Sequence, residues 1–432
     1  MTAQINRRSL LGLGASLGIS VNFLGSQAFA ATEGDLASKK LVVVICRGGM
    51  DGLSVSPPVG DANYANLRGT IAMKPDQVLK LDDTFGLHPE LKTVHALAQK
   101  GEARIAPAIA SPDRARSHFE AQDVLETGAA HVYGTETGWL NRTLEALAPV
   151  RKVEGLSVGT TAPLILRGKV QAASWSPGKG VDETARLPTL LQDLYRNDPM
   201  LGPAFARGLE TETMAQTAMT AMAPTPAMNV AAASTPPMTP PGTPMVMAQP
   251  ASPTMANDRQ NRAGSEAARK LGSTLGGFMI QAGGPQIAAI SLDGFDTHAG
   301  QAGQIATRLS YMDAVLDGLH SGLGAEWKNT VVIAVTEFGR TARVNGTGGT
   351  DHGTASTGLV LGGALKKGGG IVGDWPGLAD NALFENRDTA PTVDMRGLFK
   401  GVLAEHIGVD RAILENKVFP DSAAAKPVTG LV

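Results

Sequence analysis

The chain has 432 residues, a formal net charge of −2, 18% charged and 4% aromatic residues, and a single cysteine. With no long basic block it lacks the electrostatic footprint of a nucleic-acid binder and the charge that would hold it to anionic lipid, and one cysteine excludes an internal disulfide framework. The length suffices for one large α/β domain or two ordinary ones.

At the N-terminus, Arg7 and Arg8 precede an apolar run from Leu10 to Leu24, and Ala28-Phe29-Ala30 closes the segment. A charged start, a short apolar core and a small-x-small end define a removable signal over residues 1–30. The paired arginines favour the twin-arginine route, with a general secretory signal as the rival reading. The run is too short to span a bilayer of roughly 30 Å, and no stretch of about 20 apolar residues follows it. The expected protein is periplasmic or secreted, engages the export machinery, and has no stable membrane insertion and no nucleic-acid partner.

The next element, Leu41 to Ile45, is a β-branched apolar run of the kind found in central strands, and Cys46 at its end reads as a small buried hydrophobe. Ala103 to Ile109, Ile287 to Leu292 and Val331 to Val335 are runs of the same kind, while Ile305, Leu309, Met312, Leu316 and Leu319 recur at helical spacing. Strands alternating with helices predict an α/β fold whose central sheet is covered on both faces. Residues 209–262 differ, being rich in Ala, Thr, Pro and Met without apolar periodicity. Such a stretch buries too little surface to offset its ordering entropy, so a disordered insertion is expected within one domain built from 31–208 and 263–432. Its methionines, from Met214 to Met255, have the softness for Cu(I), but neither histidine nor cysteine accompanies them.

Ligands of open α/β sheets gather beyond the carboxyl ends of the strands. Arg47-Gly48-Gly49-Met50-Asp51-Gly52 follows the first run, Asp293-Gly294-Phe295-Asp296-Thr297-His298 the one ending at Leu292, and Thr336-Glu337-Phe338-Gly339-Arg340 the one ending at Val335. Gly349-Thr350-Asp351-His352-Gly353 comes shortly after. A lone carboxylate here reads as a cap or turn residue, but several on one sheet edge read as a metal or anion site. Oxygen and nitrogen donors without thiolate suit Zn, Mn or Mg. The glycine run Gly368-Gly369-Gly370-Ile371-Val372-Gly373 matches G-x-G-x-x-G in letters only, because Asp374-Trp375-Pro376 follows where a helix is required.

Arg47 to Leu53, Arg116-Ser117-His118-Phe119, Gly294 to His298, Thr336 to Thr341 and Thr350 to Gly353 together resemble the alkaline phosphatase superfamily. The likeness is nearer still to a twin-arginine-exported branch named only as a domain of unknown function. The resemblance implies a mostly parallel sheet flanked by helices, one or two divalent ions, and transfer of phosphoryl or sulfuryl groups. It implies Asp51 as a metal ligand after the first strand, Ser117 as nucleophile, Asp296 and His298 as paired ligands of one metal, and His352 as a late ligand. Glu337 stands in the place of an Asp-His pair, or Asp351-His352 is itself that pair. Asp296-Thr297-His298 is spaced more tightly than the family's Asp-x-x-x-His, and Phe338 stands where a histidine is usual. Ser117 lacks the Cys/Ser-x-Pro-x-Arg context of formylglycine sulfatases. Arg47 or Arg340 is expected to grip ester oxygens, Arg340 having the further reading of a bridge to Glu337. His118 reads equally as ligand, base or helix-start cap. The expected function is a metal-dependent hydrolase of a small phosphate or sulfate ester. The alternative is a non-catalytic periplasmic binding or assembly protein, partnered by another protein, with a degenerate metal site.

Overall fold

The computed structural model describes residues 38–148, 155–158, 163–175, 253–368 and 370–432, with side chains from 264 onward in the helix that starts at Pro253. The expected signal segment lies outside the described residues, as does 209–252 of the expected insertion. The remainder of that insertion is helical.

In chain order the elements that build the molecule are strand β1 (Lys40–Cys46), helices α1 (Gly52–Val55) and α2 (Tyr64–Arg68), a ribbon of β2 (Leu79–Lys80) and β3 (Gly86–Leu87), then α3 (Lys92–Gln99) and β4 (Ala103–Ala110). Helices α4 (His118–Thr127) and α5 (Trp139–Leu147) and strands β5 (Gly155–Val158) and β6 (Ala172–Trp175) follow, then α6 (Pro253–Ile280), β7 (Ile287–Leu292) and α7 (Gln301–Leu323). Next come β8 (Thr330–Val335), β9 (Ser356–Leu361), β10 (Val393–Asp394) and α8 (Met395–Val402), followed by short helical turns between Leu403 and Val418.

Eight strands form one sheet in the order β10-β4-β9-β8-β1-β7-β5-β6. Every pairing is parallel except the two made by β9, which runs against β4 and β8. Strand β1 is central and buried along its whole length, which is why its sequence is continuously apolar. Its alternate residues face opposite ways. Val42, Val44 and Cys46 join a core with Leu275 and Phe278 of α6 and Leu309 and Met312 of α7. Leu41, Val43 and Ile45 join a second core with Leu140 and Leu144 of α5 and Leu398 and Phe399 of α8. Each such fully buried side chain contributes roughly 1.5–3 kcal/mol over exposure. The molecule is therefore a mostly parallel sheet flanked by helices on both faces, as expected.

The direction of β9 decides what the site contains. Segments that follow β1, β4, β7 and β8 emerge at the carboxyl edge; β9 is antiparallel, so the segment preceding it, with Asp351 and His352, lies at that same edge. Among the described residues no helix is long and apolar enough to cross a membrane.

Candidate metal centre

Four side chains from three segments meet at this edge. His118 is the first residue of α4, Asp296 and His298 lie between β7 and α7, and His352 lies before β9. The Nε2 atoms of His298 and His352 are 3.1 and 3.4 Å from Asp296 Oδ1, and His118 Nε2 is 3.5 Å from Asp296 Oδ2. His298 Nε2 and His352 Nε2 are 3.0 Å apart. His118, Asp296 and His352 form one compact group of ligand atoms, and His298 touches two of its members.

The opposite nitrogen of each ring is held by an acceptor. His118 Nδ1 lies 2.9 Å from Glu337 Oε1, His352 Nδ1 lies 2.9 Å from the Arg116 carbonyl, and His298 Nδ1 lies 3.3 Å from Asp351 Oδ1. Facing a carboxylate or a carbonyl, each Nδ1 carries the proton, so in the neutral rings each Nε2 presents a lone pair. Three lone pairs and a carboxylate crowded within 3.0–3.5 Å repel one another unless a cation sits among them. A tetrahedral zinc with ligand bonds of 2.0–2.1 Å separates its donors by about 3.3 Å, so the spacing fits. His118 Nε2 is buried and has no hydrogen-bond partner, the mark of a group awaiting a ligand.

Charge is arranged around these donors. The hydrogen bond to Glu337 pushes the His118 imidazole up from its ordinary value despite burial. Burial disfavours charge on Glu337, yet donors from His118, its own amide, Gln122 and Gly48 outweigh that and hold its carboxyl at about 2. Asp296 is likewise pushed up by burial, but Arg340 overrides this and holds it below the usual carboxylate range. Burial lowers His352. Phe338 packs at a tilt against both His118 and His352, with ring centroids 4.8 and 4.7 Å away, and forms an apolar wall beside the two rings. Asp296 and His298 are about half exposed, so the centre opens to solvent.

Close backbone approach makes the crossing of loops possible. Gly48 has φ +113°, and a Cβ there would lie 2.5 Å from the Asp296 amide nitrogen; Gly49 has φ +68°, and a Cβ there would strike the Phe338 ring. Arg116 adopts φ +57° without being glycine, which aims its carbonyl at His352 and starts α4 two residues later.

Of the residues singled out in the sequence, Asp296, His298 and His352 come together, joined by His118. Glu337 stands behind His118: Oε1 accepts from His118, Gln122 and the Gly48 amide, and Oε2 from Thr336 Oγ1. Asp351 stands behind His298. Asp51 is turned elsewhere, because the chain enters α1 directly after it; its Oδ2 pairs with Arg68 and accepts from Ser54 and Gln301. Arg47 is occupied by Glu126 at 2.6 Å, Gln122 at 2.8 Å and Ser291 at 3.2 Å. Arg340 is fully buried and pairs with Asp296, not with Glu337; the same Nη2 also donates to the carbonyls of Gly48 and Phe295, while Nε and Nη1 hold those of Gly49 and Thr350. Neither guanidinium is left free to grip an ester. Ser117 precedes α4 as its N-cap residue, is half-buried, and makes no side-chain cap hydrogen bond. Cys46 is buried beside Met312, and burial raises its thiol pKa.

Sequence reading missed Arg68 and Gln301, which belong to no motif, and left His118 open. The adjacency of His118 to Ser117 at a helix start was the available signal.

Fold and site together define a class: a mostly parallel α/β protein with a three-histidine, one-carboxylate cluster suited to a divalent ion at the carboxyl edge of its sheet. The chain belongs to the DUF1501 family, described as proteins of unknown function, over residues 38–418. No curated protein matches its sequence. Similar solved structures include Ps i-CgsB in complex with k-i-k-neocarrahexaose, at 10% identity and TM-score 0.39, covering 90% of this chain and 77% of that one. The lipoteichoic acid synthase LtaP from Listeria monocytogenes is similar at 9% identity and TM-score 0.37, covering 95% and 81%. A magnesium-bound TAB5 alkaline phosphatase variant is similar at 11% identity and TM-score 0.31, covering 77% and 94%. At these scores the likeness carries no functional argument, which rests on the site.

Proposed function

We propose that the protein is an exported, metal-dependent hydrolase of phosphate or sulfate esters. The observation that carries this reading is the convergence of His118, Asp296, His298 and His352 on one point, with His118 Nε2 buried and unpartnered. These four residues would hold the ion; Glu337, Asp351 and the Arg116 carbonyl orient the rings. When bound, a divalent ion of the Zn, Mn or Mg type supplies Lewis acidity, lowering a hydroxyl pKa and neutralising charge on a transferring group.

Ser117 is the proposed nucleophile. It sits at the N-terminus of a ten-residue helix, where the dipole favours a developing anion. Arg340 keeps Asp296 ionised and thereby sets the charge of the centre. Export by the twin-arginine route, with a periplasmic or secreted destination, is part of the proposal and rests on Arg7, Arg8 and the apolar run behind them.

One observation favours a second reading, a non-catalytic periplasmic binding or assembly protein that keeps a metal. Arg47 and Arg340 are both fully committed within the protein, so neither is available to an ester. Metal analysis and kinetics separate the readings. The hydrolase reading expects a bound divalent ion, turnover of an aryl phosphate or sulfate, and its abolition in Ser117→Ala. Metal retained with no turnover of either aryl ester gives the binding reading. Less than about 0.1 equivalent of any divalent ion after gentle purification removes both.

A further inference from the structure

We propose that the centre takes a single ion, and that the cation serving Asp51 is the guanidinium of Arg68, built into the chain. The proposal rests on the metal-centre reading above and fixes its stoichiometry.

Asp51 and Arg68 are both at least 99% buried, and they pair directly. A buried carboxylate requires a counter-cation or must give up its charge. Asp51 Oδ2 already receives Arg68 Nη2, Ser54 Oγ at 2.6 Å and Gln301 Nε2. Among the described residues, its Oδ1 is the one site oxygen left buried without a partner. One oxygen does not make a second site built by the protein, because the neighbouring donors are spent. Ser54 donates to Asp51, and the amide oxygen of Gln301 accepts from Thr297 Oγ1 at 3.0 Å and Thr350 Oγ1 at 2.6 Å. Both Glu337 oxygens already accept, and Asp351 Oδ1 is engaged by His298 and Asn345. Among the described residues the donors left over serve one ion.

Gln301 gives the ion pair its purpose. It is fully buried, and its amide can face only one way: NH2 toward the Asp51 carboxylate, oxygen toward the two threonine hydroxyls. Thr297 lies between Asp296 and His298, and Thr350 lies two residues before His352. The Arg68–Asp51 pair therefore orients Gln301, and Gln301 ties the two ligand-bearing loops to each other. Gln301 is a positioning residue, acting on the ion through the loops.

The test is metal stoichiometry and affinity of the full-length purified protein, by elemental analysis and by competition of zinc against a chromophoric chelator. One zinc per chain is expected. Asp51→Asn is expected to leave that stoichiometry unchanged, whereas Asp296→Asn lowers affinity at least about tenfold. Should Asp51→Asn fail to fold with Arg68 buried unpaired, Asp51→Asn combined with Arg68→Met removes both charges and is expected still to bind one zinc. For Gln301, Thr297→Val with Thr350→Val is expected to weaken zinc by about 10–100-fold and to alter the cobalt(II) absorption spectrum, with Thr→Ser at both sites restoring each. Two ions in the wild type, or loss of an ion in either Asp51 variant, overturns this proposal alone. No ion in the wild type overturns the metal reading and this proposal with it. Valine variants with wild-type affinity and spectrum overturn the positioning role.

Discussion

A carboxylate that holds an imidazole from behind does different work from one that touches the ion. Glu337 donates no lone pair to the cluster; it fixes the tautomer and angle of His118 and raises its basicity. Glu337→Gln removes the anion while nearly preserving volume. It is expected to lower metal affinity by about 10–100-fold without unfolding the protein. Competition titration alongside thermal unfolding checks this, and unchanged affinity would reduce Glu337 to a structural group. The same distinction explains what was readable at this scale. Asp296, His298 and His352 stand out because each lies next to a strand at the sheet edge. The outer position of Glu337 and the diversion of Asp51 depend on Gly48, Gln122, Arg68 and Gln301, partners brought in from up to 289 residues away, and no spacing rule records them.

The elements were legible in proportion to their burial and length. Leu41–Ile45, Ala103–Ile109, Ile287–Leu292 and Val331–Val335 were recognisable because both faces of those strands are covered, which makes the sequence predominantly apolar, interrupted only at Arg104 and Ser291. Strands β5 and β6 have four residues each and β10 has two, too few to display a period. Strand β9 begins Ser-Thr-Gly, and its reversed direction is a property of pairing that no local pattern encodes. The composition of 209–262 also masked a helix start: α6 begins at Pro253, and proline is well tolerated in a first turn. Helix α7 was read correctly from its stripe, and Leu309 on it is completely buried in the core it shares with β1. Leu309→Ala is expected to cost about 2–5 kcal/mol. Denaturant unfolding measures it, and a loss below about 1 kcal/mol would mean that the α7 face is not tightly packed.

For the molecule as a whole, two buried histidines distant from the candidate metal centre in sequence make stability depend on pH. Burial drives His88 and His406 down to about 4. In the unfolded chain they titrate near 6.5. Between those values the unfolded state takes up protons that the native state refuses, so stability falls as pH falls from about 6.5 to about 4 and is unaffected by these groups above that window. Each contributes up to about 3 kcal/mol of this loss. Unfolding free energies at pH 7 and pH 5 should therefore differ. His406→Gln, whose amide still donates to the Lys40 carbonyl, should narrow the difference. An identical pH slope in the variant would exclude His406 from the effect.

The strand order carries one more consequence. Everything before residue 176 supplies β1, β4, β5 and β6, and everything after 252 supplies β7 to β10. In the sheet these alternate like shuffled cards: β4 is enclosed by β10 and β9, and β1 by β8 and β7. The centre is divided in the same way, His118 coming from the first part and its three companions from the second. A chain cut between the two parts is expected to stay one body, since neither fragment could leave without unzipping the sheet at its middle and carrying off its share of the clustered histidines.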